Sequence, residues 1–394
     1  MNKGGEDLIK TVFNGIDNYK SVDALLKGKR LGLITNPTGT CKDMTATIDL
    51  LNEKYTLTAL YSPEHGVRGD AQAGAKILSG PDPLTGVMNY SLFGETHYIS
   101  AEMVKDGDMI VVDIQDVGAR FYTYLYTMAY AMEACKKLGL PMLIFDRINP
   151  IGGVKIEGTI LDENFRSFVG DYSLPTRTGI TLGELARYLA GTRPEQFGCE
   201  LTVVPVTGWT RDTYADETDL SWVIPSPNLP TIDGAEQYIG TCVFEGTNVS
   251  EGRGTTIPFQ IIGAPWLKSY DVVAAMNEKH LPGVRFRAGC FTPTFSKHAG
   301  TLCYAVQPHV TDRREYSSFA TGLYLLEVIK DLHPGQFEIA GRSTMDGPMS
   351  YGLDRLLGTD KFRTGELTAK EMIEYYKPGI AAYREAIKPY LLYE

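Results

Sequence analysis

Four stretches of this 394-residue chain set carboxylates, amides and arginines among glycine and proline. In the first, residues 60–74 (LYSPEHGVRGDAQAG), an apolar run breaks at Pro63 and hands Glu64, His65 and Arg68 to a segment punctuated by Gly66, Gly69 and Gly74. A carboxylate at the end of a buried strand is partly desolvated, which raises its pKa toward what a general acid needs near neutral pH. A structural ion pair with Arg68 is the competing reading of Glu64. The second stretch holds Asp113, Gln115, Asp116, Gly118 and Arg120. Side-chain alternation puts Asp113 and Gln115 on one strand face, and Asp116 stands where it would cap a following helix. The third runs from Asp146, Arg147 and Asn149 through Gly152-Gly153 to Lys155 and Glu157, a mixture suited to a polyhydroxylated ligand. Its glycines invite comparison with phosphate loops, but neither GxGxxG nor GxxxxGK[ST] is present, so nucleotide binding has little support. The fourth, residues 244–258 (FEGTNVSEGRGTTIP), packs Glu245, Asn248, Glu251 and Arg253 among small turn residues, with Arg253 fit for bidentate binding of a ligand carboxylate.

The elements around these stretches read as an α/β protein. Residues 22–29 look like the end of a helix. Residues 30–36 and 56–62 are short strands flanking a helix at 45–51, a βαβ unit. Residues 108–114 form a continuous apolar run suited to a central parallel strand buried on both faces, followed by a helix over 119–137 and a strand over 141–145. The segment between the first loop and Gly94 reads as irregular. Three strands thus end in polar, glycine-rich turns, and a parallel sheet places all three on one edge. A helix at 181–190 and a strand at 201–206 follow. Residues 208–266 read as a long ordered loop, of the kind that more often carries function. Beyond residue 270 come strands at 284–286 and 302–306, a helix at 318–332 and two more at 369–376 and 378–387. The expected architecture is a Rossmann-like parallel-sheet domain over 1–269, a smaller α+β domain over 270–394, and a site in the cleft between them.

Bulk properties narrow the function classes. A formal charge of -10 disfavours nucleic acid and anionic membrane as partners. The six cysteines lack CxxC pairs and read mostly as small buried side chains. His65, His97, His298, His309 and His333 are scattered without metal-ligand spacing, so neither a metal nor a cofactor is expected. Acids accompanied by arginine point to an organic anion or a sugar instead. Serine hydrolysis lacks GxSxG.

SPEHGVRGDAQAG, DIQDVGARFYTYLYTM, FDRINPIGG followed by IEG, PTRTGITLGELA, PSPNLPT and GTCVFEGTNVSEGRGTTIPFQIIGAPW resemble, in the same order, the DUF1343 family of NamZ-type exo-β-N-acetylmuramidases. The likeness runs from about residue 31 to the C-terminus and weakens after Trp266. Ile148 departs from it, standing where members more often have proline. The resemblance implies a glycoside hydrolase that releases terminal non-reducing MurNAc from peptidoglycan fragments such as MurNAc-GlcNAc, with a Rossmann-like domain beside a smaller one. The glutamate of its EHG motif is Glu64. Members are often exported, whereas the opening MNKGGEDLIK has no apolar signal core, so periplasmic and cytoplasmic placements both stay open.

Hydrolysis of a β-glycoside needs one carboxyl group to protonate the leaving oxygen and a second to activate water or attack the anomeric carbon. On this resemblance Glu64 is the expected acid and Glu157 its partner, with Glu245 and Glu251 in reserve and Glu133 a weaker candidate. His65, Arg68, Asp116, Arg120, Asp146, Arg147, Asn149, Asn228 and Asn248 are expected to position substrate, and Arg253 to meet the lactyl carboxylate of MurNAc. Two rivals stand beside this reading: a non-catalytic binding protein for MurNAc or another carboxylated sugar, and a hydrolase or transferase acting on a different carboxylated sugar. Anomeric outcome and oligomeric state are not legible in the sequence.

Overall fold

The computed structural model describes residues 9–69, 77–344 and 347–394. Seven strands form one sheet in the order β3-β4-β2-β1-β5-β6-β7, made of β1 (Arg30–Thr35), β2 (Thr56–Ser62), β3 (Gly80–Pro81), β4 (Met88–Ser91), β5 (Met109–Asp113), β6 (Met142–Phe145) and β7 (Leu201–Val204). All neighbours pair in parallel except β3, which runs antiparallel to β4 at the edge. Every residue of β5 and β6 is buried, as their unbroken apolar sequences require of strands covered on both faces. One face carries the helices Tyr124–Leu138 and Leu182–Thr192, and the other carries Thr47–Lys54 with the N-terminal 3-10 turns. The segment expected to be irregular before Gly94 thus supplies two strands.

From β1 the chain steps outward to β2 and β4, and from β5 it steps the opposite way to β6 and β7. The β1/β5 boundary is therefore the topological switch point, where diverging connections open a crevice at the carboxyl ends of the strands.

A second, three-stranded antiparallel sheet has the order β8-β10-β9, from β8 (Ile262–Ala264), β9 (Val284–Phe291) and β10 (Cys303–Val310). A two-stranded ribbon, β11 (Gly341–Thr344) with β12 (Gly347–Tyr351), completes the strands described. Helix Ser318–Leu332 packs against Ile232–Thr241, Ser269–Glu278 and Ala369–Ile387. Where the first of these pairs crosses, a Cβ on Gly322 would lie 2.0 Å from the Gly240 carbonyl oxygen, so only glycine allows the two backbones so close.

Two helical expectations need correction. The helix expected from residue 119 begins at Tyr124, because Ala119 pairs with Arg177 and the Arg120 amide bonds to the Thr176 carbonyl. The two helices expected around Pro378 are one, Ala369–Ile387, with the proline inside. Pro378 forfeits one backbone donor, while Met372, Tyr383 and Ile387 stay buried along one face of the continuous helix. Among the cysteines, Cys135, Cys242 and Cys303 are buried, Cys41 and Cys199 are half-buried, and Cys290 is exposed.

Candidate active site

The carboxyl ends of β1, β2 and β5 deliver Asn36, Glu64 and Asp116 to the same sheet edge. At the end of β2, His65 and Gly66 both adopt left-handed backbone, φ 75° and 82°. Histidine is among the few residues that enter this region with some frequency, and glycine enters it freely. This tight turn leaves Glu64 half-buried and His65 buried. The hydroxyl of Thr123, at the N-cap position of the helix Tyr124–Leu138, donates to Glu64 Oε2 at 3.0 Å. The late start of that helix is what makes the contact.

Asp116 lies on the loop after β5. Its Oδ2 accepts from the Gly118 amide at 2.7 Å, while Oδ1 is buried and has no hydrogen-bond partner among the described residues. Burial pushes its carboxyl up from 3.8 to about 7, against the lowering effect of the Gly118 and Val117 amides. Gly118 has a φ of 73°, and a Cβ there would meet the Asn149 amide at 2.7 Å, so the turn that carries Asp116 needs glycine on both counts.

Tyr124 lies against the turn that carries Glu64. Its hydroxyl donates to the Pro225 carbonyl at 2.6 Å and lies 3.4 Å from the Glu64 carbonyl oxygen. Burial first, and then the charges of Glu64 and Asp116, push that hydroxyl up. Around it, Asn36 Nδ2, the Tyr122 hydroxyl and Asn228 Nδ2 are buried without a partner among the described residues. Unsatisfied buried polar atoms are uncommon in a native fold and call for an explanation. With Asp116 Oδ1 they make four such atoms, donors and acceptors of the kind that a hydroxyl- and amide-bearing ligand can satisfy. An aromatic wall leads away from the set: Tyr122 to Tyr124 at 4.7 Å between centroids, Tyr122 to Tyr238 at 6.2 Å, and Tyr238 to Phe259 at 4.6 Å.

The remaining candidates fall elsewhere. Glu157 has one oxygen on Arg177 at 2.8 Å and the other on the Ser317 hydroxyl. Arg68 is held by Asp82, at 3.0 and 2.9 Å, and by Asp49. Arg120 is completely buried, and its guanidinium is spent on the carbonyls of Thr159, Leu174 and Leu356. Its Nε is buried without a partner among the described residues. Asp146 caps the start of helix Leu182–Thr192, accepting from Thr181, Gly183 and Tyr393, and burial raises its carboxyl to about 6. Arg147 pairs with Asp113 at 2.6 Å, and the Asn149 amide donates to the Ile180 carbonyl. Asn248 bridges to the Gln336 carbonyl and the Glu338 amide. Arg253 is flanked by Glu245 at 2.6 Å and Glu251 at 3.2 Å, and Lys297 also pairs with Glu251. Glu133 pairs with Lys137 on the helix surface. Sequence reasoning did not single out Asn36, although it carried a signal, a polar residue at a strand end just before Pro37.

Family models for the N-terminal and C-terminal parts of the exo-beta-N-acetylmuramidase NamZ match residues 31–233 and 237–393. The chain belongs to the NamZ family. It is 47% identical over 370 residues to the peptidoglycan beta-N-acetylmuramidase NamZ of Bacillus subtilis (strain 168), which covers 93% of this chain and 88% of that protein. Two crystal structures of DUF1343 family proteins from Bacteroides fragilis share the fold. One has a TM-score of 0.87 at 35% identity, the other 0.75 at 32%, and each alignment covers 97% of this chain and 99% of the other. The family's fold therefore includes both sheets and the helices between them. Among the described residues no cluster of His, Cys, Asp or Glu is arranged to hold a metal, and no helix is long and apolar enough to cross a membrane.

Proposed function

We propose that this protein is an exo-acting β-N-acetylmuramidase, a glycoside hydrolase that removes terminal non-reducing MurNAc from peptidoglycan fragments of the MurNAc-GlcNAc type. The reading rests on membership of the NamZ family across both of its parts, together with Glu64 and Asp116 on the loops that follow β2 and β5 at the sheet's switch-point edge. The unpartnered amide, hydroxyl and carboxyl atoms of Asn36, Asn228, Tyr122 and Asp116 are donors and acceptors of the kind a small oligosaccharide substrate satisfies.

In this proposal Asp116 is the general acid. Its carboxyl stays protonated to about pH 7 because burial disfavours the charge, so it arrives at the glycosidic oxygen with a proton to give. Glu64 is the second carboxylate, facing the anomeric carbon or the water that attacks it, with Thr123 fixing its orientation. Asn36, Tyr122 and Asn228 hold the sugar's hydroxyl and acetamido groups. This assignment transfers the acid role from Glu64 to Asp116 and replaces Glu157, whose oxygens are committed to Arg177 and Ser317. The same proposal puts the site in a cleft between the seven-stranded body and the smaller one, where Tyr122 of the first approaches Tyr238 on helix Ile232–Thr241.

Glu64→Gln tests the reading. Removing the second carboxylate is expected to lower kcat on para-nitrophenyl-MurNAc by at least about 100-fold, with circular dichroism unchanged. Near wild-type turnover in a correctly folded variant overturns the assignment. Tight binding of MurNAc by a wild-type protein that never releases para-nitrophenol supports the non-catalytic reading instead.

A further inference from the structure

The loop after β4 brings a further set of rings to the sheet edge on which Glu64 stands. Ser91, the last residue of β4, is in register with Ser62, the last of β2, and the Leu92 amide donates to the Ser62 carbonyl at 2.9 Å. Two residues beyond these paired serines, one chain reaches Glu64 and the other Phe93. The loop is tied to itself. The Phe93 amide donates to the Ser91 hydroxyl at 3.2 Å, His97 Nδ1 to the Leu92 carbonyl at 3.1 Å, and the Tyr98 amide to the Thr96 hydroxyl at 3.0 Å. Its rings are therefore in place before a ligand arrives, which spares the cost of ordering them on binding.

Three rings of this loop join Phe168 in one patch. His97 stacks on Phe168 with centroids 3.8 Å apart, and Phe93 lies 6.1 Å from His97 and 5.9 Å from Phe168. Tyr98 lies 4.7 Å from Tyr130. Behind the patch, Phe168 is 6.4 Å from Tyr126 and 6.3 Å from Tyr130. Both tyrosines belong to the helix whose N-cap residue, Thr123, holds Glu64, and Thr123 to Tyr130 is about 10 Å along a helix axis. Tyr126 and Tyr130 are buried, as core rings are. Phe93, His97 and Phe168 are only half-buried, and Tyr98 is 48% exposed. Contiguous rings left open at a surface mark an interaction site rather than a core.

Position and chemistry name the occupant. An exo-acting enzyme holds the terminal sugar at Glu64 and Asp116, so the rest of a longer chain must run out on the leaving-group side. β-Linked pyranoses present C–H faces between edges of hydroxyl groups, and such faces make dispersion contacts with aromatic rings. None of the four side chains is an acid, a lysine or an arginine. The patch is thus suited to stacking on a sugar face and not to pairing with the carboxylates of a stem peptide.

We propose that Phe93, His97, Tyr98 and Phe168 form a platform for the leaving-group side of the glycan, a subsite beyond the disaccharide being cut that favours longer chains. The proposal rests on the muramidase reading, and its test separates the two. The double variant His97→Ala/Tyr98→Ala is compared with wild type on para-nitrophenyl-MurNAc, on MurNAc-GlcNAc and on the peptide-free tetrasaccharide MurNAc-GlcNAc-MurNAc-GlcNAc. Loss of two stacking rings predicts a rise in KM of about 10-fold or more on the tetrasaccharide, with kcat and both shorter substrates changed by less than about threefold. Tyr98→Ala alone, at a side chain too exposed to endanger the fold, is expected to raise that KM roughly three- to tenfold, and Tyr98→Phe, which keeps the ring, to leave it within about twofold of wild type.

An unchanged tetrasaccharide KM in the double variant overturns the platform and leaves the muramidase reading intact. So does a loss of equal size on either shorter substrate, or a loss that appears only when stem peptides are attached to the chain. If wild type hydrolyses none of the three substrates, the muramidase reading is what fails. Calorimetric binding of the tetrasaccharide then decides the platform: equal affinities for wild type and double variant overturn it, and a loss of about 10-fold or more sustains it.

Discussion

Asp116→Asn removes a proton donor while keeping the side chain's size and its acceptor for the Gly118 amide. General acid catalysis contributes about 10²- to 10⁴-fold, and how much of it is lost depends on the leaving group. The alcohol released from MurNAc-GlcNAc needs a proton, so kcat/KM on the disaccharide is expected to fall by roughly 10³-fold. Para-nitrophenol leaves as an anion, so the loss on para-nitrophenyl-MurNAc should stay within about 10-fold. The wild-type rate on the disaccharide should decline above about pH 7, where Asp116 loses its proton, and the variant should lack that limb. Stability supplies an independent check. A folded-state pKa of about 7, against 3.8 for the unperturbed group, means that the folded state binds the proton more tightly, so wild-type stability falls as pH rises from about 4 to 7. The ceiling on that fall is on the order of 4 kcal/mol, and the asparagine variant, having nothing to ionise, should show none of it. Denaturant midpoints at pH 5 and pH 8 measure the difference. Equal losses on both substrates, or a pH limb that survives in the variant, would refute Asp116 as the acid and leave it a positioning group.

Two further substitutions probe groups outside the crevice. Glu236 is buried, has an Oε1 without a partner among the described residues, and is raised to about 7 by burial in spite of Arg177 and Arg313 nearby. Because its charged form is the costly one, Glu236→Gln should match wild-type Tm near pH 5 and exceed it at pH 8; a variant less stable than wild type at pH 8 would show that the arginines require the charge. Arg120→Met strands the carbonyls of Thr159, Leu174 and Leu356 inside the protein. A loss of about 3 kcal/mol or more in unfolding free energy is expected, and a change below about 1 kcal/mol would mean that the cross-link is replaceable.

The parts of the fold that were legible are those written in local pattern. β2 and the helix Ser318–Leu332 coincide with the spans their periodicity predicts, and convergence of three strand ends on one edge follows from parallel pairing alone. The start of the helix at Tyr124 was not legible, because the aromatic run after Ala119 contains no stop signal. What holds residues 119–123 out of the helix is pairing with residues 176–177, more than fifty positions away. The role of each acid was hidden for the same reason. Glu157, Glu245 and Asp116 all sit in polar, glycine-rich segments and look alike one residue at a time. What separates them is whether the fold brings a cation to their oxygens. Arg177 reaches Glu157 across twenty positions, and Arg253 reaches Glu245 across eight, whereas Asp116 Oδ1 is enclosed with no partner among the described residues. Burial without a counter-charge is what lifts a carboxyl group into the range of a neutral-pH acid. In this chain the sequence therefore supplies several acids, and the placement of its arginines determines which of them remains available to a substrate.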